Sequence, residues 1–117
     1  MTGRTAHLSG LAAEAQVADY LERRGLEVIA RRWRGAAGEI DLICAEGGTT
    51  VFVEVKRAAS QQSAAHSLLP RQIARIRAAA SEYAGTLPAG QDSDMRFDVA
   101  LVHGVGEIEI IRNALIP

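Results

Sequence analysis

The chain has 117 residues, 48% of them hydrophobic and 23% charged, and a formal net charge of −1. That is one domain's worth of ordinary soluble composition. There is no apolar run of about 18 residues to cross a membrane, no apolar signal-peptide core and one cysteine, Cys44, so no intrachain disulfide. The expectation is a single cytoplasmic domain over residues 1–117. His7, His66 and His103 are too scattered for a zinc site. The charge balance does not mark a nucleic-acid binder. Even so, Arg31, Arg32 and Arg34 crowd one stretch and Arg71, Arg75 and Arg77 another, and a basic face can sit on a neutral protein.

Residues 1–7 are polar and expected to be flexible. Ser9 is the expected N-cap of a helix reaching about Arg24, with Gly25 just past its end. Leu11, Ala15, Ala18 and Leu21 mark its apolar stripe, and Glu14 falls on that stripe at the i, i+3, i+7 spacing. A carboxylate on an inward face needs a partner or a cation. Leu26 to Arg32 predicts a strand, residues 35–38 (GAAG) a turn, Glu39 to Ala45 a second strand, and Thr50 to Arg57 a third after the turn at 46–48. Residues 58–67 form a small, polar connection. A second helix is predicted from Leu69 or Pro70 to Ala84, then a loop over 85–93. Strands follow at Met95–His103 and Glu107–Arg112, joined by a turn at 104–106. The order α-β-β-β-α-β-β implies an α/β fold, a mixed sheet flanked by a helix on each face.

Acids interrupt the central hairpin. By strand alternation Glu39, Asp41 and Ile43 share one face of the second strand, and Ile40, Leu42 and Cys44 the other. Phe52, Glu54 and Lys56 share a face of the third. Asp41 and Glu54 then meet on one side of the sheet if the register permits, about 5 Å apart. Carboxylates that close repel unless a proton or a cation lies between them. Mg²⁺ or Mn²⁺ suits the set, with Asp41 and Glu54 as ligands, the Val55 carbonyl as a third oxygen and Glu14 as an accessory ligand. Lys56 would orient an attacking water and stabilise charge on a phosphate. The competing account is a wet sheet face with an exposed Glu54–Lys56 ion pair worth about 0–1 kcal/mol, and the residues alone leave the two level. Cys44 belongs with the apolar set, and Arg96 and Asp98 read as an internal ion pair.

Four blocks in order, GLAAE (10–14), GEIDLI (38–43), VFVEVK (51–56) and RFDV (96–99), resemble the YraN family of uncharacterised bacterial endonuclease-like proteins. The resemblance implies a restriction-endonuclease-like core of the PD-(D/E)XK type, similar to Holliday-junction resolvases. It implies Asp41 as the motif aspartate, Glu54-Val55-Lys56 as the E-x-K, and Glu14 as the helix glutamate of the resolvase-like branch. Ile40 stands where that motif has proline. Ala58 and Gln72 stand where the family commonly carries basic residues.

The leading expectation is a Mg²⁺- or Mn²⁺-dependent nuclease acting on DNA, as in recombination or repair. Asp41, Glu54, Lys56 and Glu14 would be its catalytic residues. Arg31, Arg32, Arg34, Arg71, Gln72 and Arg75 would be its nucleic-acid face, and a symmetric homodimer would supply a second site where both strands are cut. The alternative is a non-catalytic nucleic-acid-binding or protein-interaction module on the same fold.

Overall fold

The computed structural model describes residues 2–57, 70–103 and 106–114. In chain order it has α1 (Thr2–Arg23), β1 (Glu27–Arg34), β2 (Glu39–Glu46), β3 (Thr49–Arg57), α2 (Pro70–Ala84), a 3₁₀ turn (Gly90–Asp92), β4 (Met95–His103) and β5 (Glu107–Ile111). The five strands lie side by side in sequence order. All neighbours are antiparallel except β3 and β4. That parallel pair requires a crossover, and α2 lies within it. The expected α/β class and element order hold. The polar connection expected at 58–67, with His66, lies outside the described residues, as do Gly104 and Val105 of the last turn.

α1 starts at Thr2, so Ser9 sits inside the helix rather than at its N-cap. Nothing upstream of Ser9 is proline, and Gly3 and Gly10 cost only about 1 kcal/mol each in a helix. Propagation from a nucleated helix needs no second nucleus. The other end behaves as expected. Leu26 N–H donates to Leu21 O at 3.1 Å and Gly25 N–H to Glu22 O at 3.1 Å. With Gly25 at φ +94°, this is a Schellman close, and Leu21 and Leu26 pack together in the core behind it.

The sheet has a helix on each face. Ala13, Val17, Ala18 and Leu21 of α1 bury against Leu42, Cys44, Val51, Val53, Ala100 and Val102. Ala79 and Ala80 of α2 bury against Ile40, Ile43 and Phe52. Phe52 stacks on Phe97 at 5.3 Å and meets Tyr83 edge-on at 5.8 Å, each contact worth about 0.5–1.5 kcal/mol beyond burial. Of the expected α1 stripe Ala18 and Leu21 are buried and Ala15 is exposed, with Ala13 and Val17 filling the buried face instead. Glu14, half-buried, continues the buried 17, 18, 21 line at i+3, i+4 and i+7.

The expected face of β2 needs correcting. Ile40 packs toward α2, not with Leu42 and Cys44. β1 carries two irregularities that accompany this. Its register shifts between Val28 and Ala30, leaving Ile29 exposed, and Arg32 takes φ +52°. Ala30 and Trp33 therefore both face α2 although three residues apart, and Ile40, opposite Trp33, goes with them.

The far end of the α1 face is braced by charge. Asp98, 3% exposed, takes Arg96 Nε at 3.1 Å and the Asn113 N–H at 3.1 Å. Arg96 Nη1 reaches Glu46 at 2.9 Å, which holds the Glu46 carboxyl below its ordinary range. The internal Arg96–Asp98 pair expected from sequence is present. Cys44 is buried and inert, its thiol pushed up to about 11 chiefly by desolvation.

Candidate functional site

β2 pairs with β3 only from Glu46↔Thr49 to Leu42↔Val53. β3 continues to Arg57, still paired with β4. Past the end of the β2–β3 ladder, Val55 N–H donates to Asp41 Oδ2 at 2.8 Å. A side-chain carboxylate satisfies a donor that a strand carbonyl would otherwise take, and this ties Asp41 beside Glu54.

The Asp41 and Glu54 carboxyls line the same cleft. Desolvation first, then the neighbouring Asp41 carboxyl, push Glu54 up to about 9, against the smaller pull of Lys56 and Arg75. A carboxyl raised this far keeps its proton near neutral pH. Glu14 on α1 belongs to the same field. Burial raises it most, Asp41 and Glu39 raise it further, and Arg32 pulls it down. Asp41 and Glu54 line one cleft; Glu14 feels the Asp41 charge and Lys56 acts on Glu54, but neither Glu14 nor Lys56 is in that cleft's lining.

Among the described residues, no three of His, Cys, Asp and Glu form a ready-made metal cluster. The donor set fits a hard divalent ion all the same. A carboxyl held protonated beside a neighbouring carboxyl is a place where a cation would relieve the repulsion, and Mg²⁺ is commonly bound by only one or two carboxylates, with waters and substrate phosphate completing its shell. Asp41 and Glu54 would hold it, with Glu14 outside them. For Val55 the observed role is that of its N–H, which aims Asp41.

The pair opens onto a cleft of about 390 Å³ lined by Arg34, residues 35–38, Glu39, Asp41, Glu54 and Arg75. Of the six residues expected to contact nucleic acid, only Arg34 and Arg75 line it. Arg34 reaches Glu39 at 3.1 Å, Arg32 reaches Glu39 at 3.9 Å, and Arg31 leans to Glu22 of α1 at 4.0 Å. Arg71 and Gln72 occupy the first turn of α2, outside the cleft lining. A larger cavity of about 420 Å³ lies at the opposite end of β2, around Tyr20, Arg24, Glu46, Arg96 and Asp98. Its innermost charges neutralise one another through the Arg96 brace, so it is the poorer candidate.

One cleft-side residue escaped the sequence reading. Glu82 of α2 accepts the Ala36 N–H at 3.0 Å and the Ala37 N–H at 3.2 Å. The only local signal was a Gly-Ala-Ala-Gly turn with exposed donors. Its partner is 45 and 46 residues away in the chain.

The model of a family described as "Uncharacterised protein family UPF0102" matches residues 13–102, a span that holds the whole carboxylate set. A UPF0102 protein of Cereibacter sphaeroides is 53% identical over 114 residues, covering 97% of both chains. Another, of Ruegeria pomeroyi, is 52% identical over 112 residues, covering 96% of this chain and 91% of its own. A third, of Dinoroseobacter shibae, is 45% identical over 111 residues, covering 95% and 83%.

Proposed function

The chain belongs to the uncharacterised protein family UPF0102, the YraN family, and from that premise we propose that it is a divalent-metal-dependent nuclease hydrolysing DNA phosphodiester bonds. The observation that carries this reading is the Asp41–Glu54 carboxyl pair lining one cleft with Arg34 and Arg75. Mg²⁺ or Mn²⁺ held there would supply a water of lowered pKa and neutralise phosphate charge. The chain's own groups do the rest. The Val55 N–H fixes the Asp41 carboxylate. To serve as a ligand, Glu54 would have to release its proton to solvent. Lys56, on Glu54's strand face, orients the attacking water and stabilises charge building on the scissile phosphate. Glu14, half-buried on α1 and within the field of Asp41, holds the water from the α1 side. Arg34 and Arg75 bind phosphate and set register without reading bases.

A second reading, a non-catalytic module that binds nucleic acid or a protein partner, has one observation in its favour. Arg31, Arg32 and Arg34 each lie against a carboxylate of the chain itself, which diminishes the basic face. The test is to incubate labelled single-stranded, duplex and branched DNA with and without Mg²⁺ or Mn²⁺, alongside Asp41→Asn and Glu54→Gln. The nuclease reading expects metal-dependent cleavage that both substitutions abolish. Cleavage that survives both would sink the site assignment, and binding without cleavage would favour the second reading.

A further inference from the structure

The turn between β1 and β2 is gripped by α2. Glu82 takes the N–H groups of Ala36 and Ala37, one on each carboxylate oxygen. Bonds from backbone donors to an ionised carboxylate are of the stronger kind. Gly35 N–H closes the turn onto Gly38 O at 2.9 Å. Both glycines are needed by what lies against them: a Cβ on Gly35 would run into the Glu82 carboxylate, and one on Gly38 would fall 2.7 Å from Arg75 Cγ. Arg75 and Glu82 sit two helical turns apart on one face of α2. Tyr83, beside Glu82, meets the Trp33 ring edge-on at 5.4 Å where β1 enters the turn.

Asp41 lies between Ile40 and Leu42, both paired with β1, and on its other side it stands at the open end of the β3 ladder. Residues 39–41 follow the turn directly. They pair with β1 through Arg34↔Glu39 and Trp33↔Ile40, but the β3 ladder has already stopped at Leu42. On the β3 side the tie is the Asp41 carboxylate itself, bonded to Val55 N–H.

We propose that Glu82 is a positioning residue for the Asp41–Glu54 pair. Through Ala36 and Ala37 it fixes the turn, and through the turn it fixes where the Asp41 carboxylate stands against Val55 N–H and Glu54. The consequence for metal binding rests on the nuclease reading above; the positioning does not.

The experiment is residue-resolved amide hydrogen exchange by NMR on the full chain without metal, for wild type, Glu82→Ala and Glu82→Gln. In Glu82→Ala the Ala36 and Ala37 amides lose protection. The Val55 amide loses about tenfold, the factor for one charge-assisted hydrogen bond, while Phe52 and Val53 keep theirs and so report an intact sheet. Glu82→Gln is intermediate, since its amide oxygen still accepts one N–H. If only Ala36 and Ala37 change and Val55 does not, Glu82 merely tethers the turn and the proposal is overturned. In parallel, Mn²⁺ titration followed by electron paramagnetic resonance is expected to show weaker binding in Glu82→Ala than in wild type. A wild-type chain that binds no Mn²⁺ would refute the metal reading, and the Val55 amide would still decide the role of Glu82.

Discussion

Replacing Glu54 by Gln is expected to stabilise the metal-free protein while destroying its site. Glu54 ionises near 9 in the folded chain, against an ordinary value of 4.5. Its folded-state pKa is raised, so its contribution is fully present below the unfolded value and lost as pH climbs toward the folded one. Between those limits the folded state holds a proton that the unfolded state releases. Stability then falls by at most about 1.4 kcal/mol per pH unit, or about 3 kcal/mol between the ordinary carboxylate range and pH 7. Gln keeps an N–H donor for the Asp41 carboxylate and cannot ionise. Urea denaturation in EDTA at pH 5, 7 and 9 should therefore show wild-type stability falling across the series and Glu54→Gln losing much less. At pH 9 the variant should be the more stable protein. Saturating Mg²⁺ should restore wild type at high pH, by about 2.7 kcal/mol at a hundred times Kd, and do little for the variant. A wild-type profile that is flat or rising from pH 5 to 9, or a variant less stable than wild type at pH 9, would refute a Glu54 held protonated beside Asp41.

Asp98→Ala should cost about 3 kcal/mol by urea denaturation, because it removes a buried carboxylate that holds the half-buried Arg96 and leaves the Asn113 N–H without its acceptor. Arg112→Ala, 63% exposed and 3.8 Å from Glu46, should change stability by less than about 1 kcal/mol. Arg75→Ala and Arg34→Ala should each weaken oligonucleotide binding across all sequences and shrink the salt slope by about 1. A fluorescence-anisotropy salt titration with an unchanged slope would remove that arginine from the interface. Gly38→Ala should weaken the same binding by displacing Arg75. Gly47→Ala, at φ +61° with open space around it, should cost only about 1 kcal/mol of backbone strain, read as a lowered melting temperature with binding unchanged.

Much of the architecture was legible along the chain because it follows from local pattern. Met95–His103 reads as a strand to the residue, an alternating and then continuous apolar run ending at a glycine. Gly25 marked the end of α1 because only a left-handed residue closes that turn without strain. Glu14 announced itself by helical period, and it does enter the field of Asp41. The match to a family rested on blocks that the family comparison spans from Ala13 to Val102.

What the pattern did not carry was anything settled between distant segments. Alternation put Ile40 with Leu42, yet a register shift at Ile29 and a left-handed Arg32 in the neighbouring strand go with a reversal of that face. The arginines at 31, 32 and 34 read as one basic patch, but folding sets them against Glu22 and Glu39. Asp41 and Glu54 were visible as misplaced acids. That Glu54 is pushed up beside Asp41 depends on the two meeting past the β2–β3 ladder's end at Leu42 and on desolvation. Side-chain period is a property of one strand's backbone, whereas register, desolvation and the hold of Glu82 on the 35–38 turn exist only once remote pieces of chain are brought together.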